Sequence, residues 1–141
     1  MPVEVQFDRS LRILLVVYEG NIRGWDISEV YTEIAHHFDE LRPSAVIVDF
    51  AAITSFDVPG DIVRFQAKKD VALLGDTNTP VVLVVPRERH LFGLARMYEL
   101  SANPSFPDFR IVHSREEALT GLKVVNPNFD KLVLPERRSD E

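Results

Sequence analysis

Cysteine is absent from the 141 residues, which excludes a disulfide framework and any thiolate metal site and leaves the redox compartment unmarked. Long apolar runs are missing too. The stretch "ILLVVY", residues 13–18, is too short to cross a bilayer, and no basic leader with a small-residue cleavage site precedes it. No transmembrane segment or export signal is expected, and a cytoplasmic location is. Positive charge is scarce: 16 basic against 22 acidic residues give a formal charge of -6, which opposes the phosphate attraction behind most nonspecific nucleic-acid affinity. No nucleic-acid partner is expected. Catalytic signatures are lacking as well, with no Gly-x-Ser-x-Gly elbow, Walker phosphate loop, Gly-x-Gly-x-x-Gly fingerprint or His-Glu-x-x-His helix. The expectation is therefore no catalytic residue and no cofactor.

What is present is globular. Hydrophobic residues make up 45% and charged residues 27% of the chain, as in a protein with a packed core. Its length suits one domain burying about 68–70% of the unfolded surface. Residues 3–7, "VEVQF", alternate, and "LRILLVVYEG" is a longer run rich in apolar residues, so the two predict a hairpin. "GWDISEVYTEIAHHFDEL" changes period: Ile27, Val30, Tyr31, Ile34 and Phe38 recur at three and four, and Asp26 and Glu29 have capping-box spacing. "AVIVDF" is a third strand. A helix follows from Asp57, with Ile62, Phe65 and Leu73 on a rough common face and Gly75 as its stop.

"PVVLVVP" predicts strand four, and "RERHLFGLARMYELSA" places Leu91, Leu94, Met97, Tyr98 and Leu100 at helical spacing. "FRIVHS" is strand five, and Ser114 with Glu117 caps a last helix. The sum is an α/β fold: one mixed, mostly parallel five-stranded sheet with an N-terminal β-hairpin and about four helices. The domain is expected over residues 1–123. Residues 124–141 form an extension with an Asn-Pro-Asn turn, an apolar patch at Leu132 to Leu134, and a disordered end.

The stretch "VIVDFAAITSFDVPGDIV" resembles the signature of STAS domains, the anti-sigma-factor-antagonist fold, found in small bacterial proteins. In that pattern an aspartate ends a strand, and an Asp-Ser-Ser-Gly type turn carries a phosphorylated serine at a helix start. Asp49 matches the first aspartate, Asp57 the second and Gly60 the glycine. Val58 stands where the phosphorylated serine would be and Pro59 replaces the next one, so the resemblance implies the fold without that phosphoryl switch. "RMYELSANPSFPDFRIVHSREEALTGL" is similar to the C-terminal part of the same group, which shares topology with lipid-exchange domains of the CRAL-TRIO type.

Other residues carry weaker suggestions. Asp57 reads as a helix cap, or as a contact for a ligand or partner. Arg87, Arg89 and His90 open a helix near the crevice beyond the strands' carboxyl ends, where an anionic head group would suit them; the alternative is solvated loop charge. His113 and Asp49 lie at the same predicted edge. His36 and His37, with Glu33 and Glu40, offer metal-ligand spacing without a third ligand, so no metal is expected. Trp25 is either a hydrophobic staple or a pocket rim.

Three functions are compatible with these residues. The first is a non-enzymatic regulatory or interaction module, working through protein contact or self-association at the Asp57 turn and the helix after it. The second is a carrier or sensor of a small apolar or amphipathic ligand, with the helix of Phe65 and that of Leu91 and Leu94 parting to admit it. The third is a small hydrolase or transferase using His90 and His113. The candidate binding residues are Asp49, Asp57, Val58, Gly60, Phe65, Arg87, Arg89, His90 and His113.

Overall fold

A computed structural model describes residues 3–74, 77–102 and 108–133. Strand β1 (Val3–Asp8) and strand β2 (Ile13–Arg23) form the expected antiparallel hairpin. Helix α1 (Gly24–His36) and the single turn α2 (Phe38–Leu41) then lead to strand β3 (Ala45–Asp57). Helix α3 (Gly60–Leu74), strand β4 (Val81–Val84), helix α4 (Arg89–Ala102), strand β5 (Phe109–Val112), helix α5 (Arg115–Gly121) and strand β6 (Asp130–Lys131) complete the chain. The expected stop at Gly75, the end of the patch at Leu134 and the disordered tip lie outside the described residues.

The sheet order is β5-β4-β3-β2-β1-β6. Strands β2 to β5 are mutually parallel, and β1 runs antiparallel to both neighbours. This is the mixed, mostly parallel α/β sheet the sequence predicts, with six strands where five are expected. The extra strand is two exposed residues that pair with Gln6 and Phe7. Its position is fixed by the amide of Asn128, which donates to Asp8 Oδ2 at 2.7 Å, and that of Leu132, which donates to the Val5 carbonyl at 2.8 Å.

Both faces of the central strands are covered, as their near-continuous apolar runs require. Because side chains alternate, Leu14, Val16, Tyr18 and Val46 face α1, α3 and α4, whereas Ile13, Leu15, Ile47 and Val82 face α5 and the segment from Val124 to Phe129. The buried face of α3 carries Val63, Ala67 and Leu74. The expected face of Ile62 and Phe65 is rotated outward, and both are exposed. Trp25 is 69% exposed, so it does not staple α1. Asp26 sits inside that helix rather than at its cap and reaches back, its Oδ2 accepting from the Arg23 amide at 2.8 Å.

Candidate functional site

The largest departure from the sequence reading is the length of β3. "AAITSFD", which follows the expected third strand "AVIVDF", continues the strand beside β2 as far as Asp57, opposite Arg23. Only Val46 to Asp49 pair with β4 on the other side, so residues 50–57 form a two-stranded extension of the sheet with β2. Register shifts between Val17 and Glu19 and between Gly20 and Asn21 twist this ribbon. Ser55 Oγ and Thr54 Oγ1 bond the Asn21 side chain across it at 2.6 and 3.0 Å. The eight residue-to-residue steps from Asp49 to Asp57 separate the two aspartates by roughly 25 Å at strand rise.

Asp49 and Asp57 therefore belong to different places. Asp49 is buried at the carboxyl end of the four-strand section, with its Oδ1 accepting from the Ala51 amide at 2.8 Å. Its Oδ2 accepts from Arg115 Nε and Nη2 at 3.0 and 2.9 Å, tying β3 to the first turn of α5. His113 lies at the same edge, its Nδ1 2.9 Å from the Val85 carbonyl and its ring 6.2 Å from that of Phe92. The N-terminus of α4, where Arg87, Arg89 and His90 suggest an anion, already holds a carboxylate. Glu88 accepts from the amides of His90 and Leu91 at 2.9 and 3.0 Å, and these bonds hold its carboxyl below the usual range. The side chains of Arg87, Arg89 and His90 are exposed around it.

At the far end of β3, Asp57 is exposed and makes no side-chain hydrogen bond among the described residues. It does not supply the expected cap: the amides of Ile62 and Val63 donate to the Pro59 carbonyl at 3.0 and 3.1 Å, the first bonds of the helix, and the carboxylate that accepts from the Ile62 amide, at 3.0 Å, is that of Asp61. The chain stays extended through Asp57, so its carboxylate lies too far back to reach those amides. Val58 is 6% exposed and packs into the core. Gly60 lets α3 start close against α4: a Cβ there would stand 3.1 Å from Met97 Sδ. Ile62 and Phe65, on the first turns of α3, and Trp25, at the start of α1, are all exposed, and Ile62 Cγ2 lies 3.6 Å from where a Cβ on Gly24 would stand. Lys69 Nζ lies 5.1 Å from the Phe65 ring centroid and 5.0 Å from that of Tyr31.

A second feature is one that no short motif announces. Between the sheet and helices α1, α3 and α4 lies a cavity of about 150 Å³. Tyr18, Val48 and Phe50 form part of its floor, and Ile34, Leu73 and Leu94 part of its walls. Its lining is almost wholly apolar apart from one polar cluster on α3 and α4. The Tyr98 hydroxyl donates to Asp70 Oδ2 at 2.5 Å, and Gln66 Nε2 donates to Asp70 Oδ1 at 2.9 Å. Burial pushes the Asp70 carboxyl up to about 6, against the lowering effect of these two bonds and of Lys69. Burial also raises the phenols of Tyr98 and Tyr18, which therefore stay protonated at neutral pH. Tyr18 and Phe50 stack at 4.8 Å, and Phe56 meets Phe50 edge-on at 5.6 Å. Asp70 escaped the sequence reading because it is one acid in a helix rich in charge; the signal was its four-residue spacing from Gln66 on the side of Val63 and Ala67.

No family model matches the chain, and no curated protein matches it. Among solved structures it is similar to the anti-sigma factor antagonist SpoIIAA in its unphosphorylated form. That likeness has a TM-score of 0.58 at 10% identity, and covers 87% of this chain and 99% of the other. The fold is thus the α/β fold of an anti-sigma factor antagonist, the STAS-like fold. Among the described residues no helix is long and apolar enough to cross a membrane, and no group of three or more His, Asp or Glu is placed to hold a metal ion.

Proposed function

We propose that the chain is a non-enzymatic regulatory module of the STAS-like type, acting in the cytoplasm through protein contact at the Asp57 turn and α3. The carrying observation is the exposure of three large apolar side chains, Ile62 and Phe65 on the first turns of α3 and Trp25 at the start of α1, where Gly24 lies close to Ile62. A switch by phosphorylation of the turn has no support in its chemistry, since Val58 has no hydroxyl and is turned into the core. Native mass spectrometry of protein isolated from its own host tests this reading. A bound polypeptide that is lost on Phe65→Ser supports it; one that persists in the variant, or none with either protein, overturns it.

The cavity favours a second reading, a carrier or sensor of a small apolar ligand. The helices that close it, α3 and α4, are the pair expected to part for such a molecule. The same spectra test it: a retained small molecule supports the carrier, and an empty protein that also fails to take up any apolar probe removes it.

A further inference from the structure

The cavity is specific about chemistry in a way that the carrier reading, on which this inference rests, leaves open. Its volume is that of engineered apolar cavities that stay dry and bind benzene. A single ring or a short alkyl chain fills such a space, whereas a two-chain lipid exceeds it. The one strongly polar group on its wall is Asp70. A carboxylate accepts about four hydrogen bonds, and two are made here, by Tyr98 and Gln66. Among the described residues no Lys, Arg or His forms an ion pair with Asp70, and the Lys69 ammonium is drawn over the rings of Tyr31 and Phe65. A carboxylate ligand would therefore set two negative charges together in an apolar space, while a donor would find vacant acceptor positions.

We propose that this cavity binds a single-ring or short-chain apolar molecule carrying one hydrogen-bond donor, a hydroxyl or an ammonium, which seats against Asp70. Phenol, benzylamine, toluene and benzoate share the apolar part and differ in the polar one. Heteronuclear NMR titration of the whole chain with each, near pH 7.5, reads affinity and places the ligand by the residues whose signals shift. Phenol or benzylamine is expected to bind about ten- to hundredfold more tightly than toluene, the range for one additional hydrogen bond to a charged group. Benzoate is expected to bind more weakly than toluene, and the order of phenol and benzylamine separates a hydroxyl from an ammonium ligand.

Asp70→Leu combined with Tyr98→Phe and Gln66→Leu removes the whole polar cluster, Gln66 included, while keeping an apolar wall of similar size, so the fold is retained. That variant should keep toluene and lose the preference for donors. Ala95→Leu, which fills the cavity from α4, should weaken all four probes. Toluene binding with no donor preference, or benzoate binding as tightly as phenol, overturns this inference and leaves the carrier reading standing. No shift at cavity residues with any probe overturns both.

Discussion

The hydroxyl of Tyr98 on α4 and the carboxyl of Asp70 on α3 meet at 2.5 Å inside an otherwise apolar space, so the hydrogen bond that joins these helices also places a titratable group where water is scarce. Buried polar pairs of this kind stabilise when both partners are present and cost most when one is removed.

Tyr98→Phe leaves Asp70 with Gln66 as its remaining side-chain donor. The expected loss is about 1.5–3 kcal/mol, the range for a hydrogen bond to a charged group, read from the denaturant midpoint at pH 7.5. The Asp70 carboxyl should also titrate higher in this variant, because a bond that lowers it has gone. An unchanged midpoint together with an unchanged titration would show that the Tyr98 contact contributes nothing.

The pH dependence of stability follows from the same pair. Facing Asp70 are Tyr98 on α4, Tyr18 on β2 and Tyr31 on α1, all raised and neutral in this range, with Lys69 and Gln66 on α3 itself. Between the ordinary value of 3.8 and about 6 the folded chain keeps a proton that the unfolded chain has released. Stability from this group is therefore full below 3.8 and falls as pH rises through 6, by up to about 3 kcal/mol. Asp70→Asn should remove that fall: the difference in unfolding free energy between variant and parent grows from pH 4 to 6.5 and is flat above. A constant difference across the range would contradict a desolvated Asp70.

How far the sequence alone carried differs between the sheet and the site. Strands β2, β3 and β4 begin in apolar runs that suit a sheet covered on both faces, and Ser114 caps α5 as its spacing predicts, with its Oγ accepting from the Glu117 amide at 3.0 Å. The extension of β3 escaped because Ala51, Ala52, Thr54 and Ser55 show no alternation; held by β2 on one side alone, they have no second layer to bury against. Pattern also placed Ile62 and Phe65 inward when the buried row of α3 runs one position away, through Val63, Ala67 and Leu74. The cavity depends on how three helices sit over the sheet, which no local window encodes.

The two helix entrances separate a true cap from an apparent one. Ser114→Ala should cost about 1 kcal/mol, whereas Asp57→Ala, which removes a side chain with no hydrogen bond, should stay within about 0.5 kcal/mol. Melting midpoints of the two variants side by side decide this. A larger loss at Asp57 would restore it as the cap of α3.

Asp49 and Arg115 form an asymmetric pair: the arginine side chain is 42% exposed and the aspartate 6%. Removing Arg115 strands a buried carboxylate, while removing the charge of Asp49 frees an arginine that returns to water. Arg115→Ala is therefore expected to destabilise more than Asp49→Asn, and the double variant to recover part of the difference. Additive losses in the cycle would mean that the pair is not coupled.

The Asp8 carboxyl and the Asn128 amide make one of the contacts that hold the end of the described chain to the first hairpin, beside the β1–β6 pairing and the Leu132 amide on Val5. The carboxyl of Asp8 accepts from the Leu11 amide at 2.8 Å and from the Asn128 amide at 2.7 Å, and those bonds, Leu11's first, hold it below the usual carboxylate range. The stabilisation is fully present above the unfolded value of 3.8 and is lost as pH falls through the lower folded value. Asp8→Ala should therefore loosen β6 at neutral pH while leaving β2 to β5 paired, because among the described residues the partners of Asp8 lie in the hairpin turn and the returning segment. Amide exchange resolves the two regions: faster exchange at Asn128 and Leu132 with unchanged protection at Ile47 and Val82 is the expected pattern. Uniform acceleration across the sheet would instead show that β6 and the central strands open as one cooperative unit.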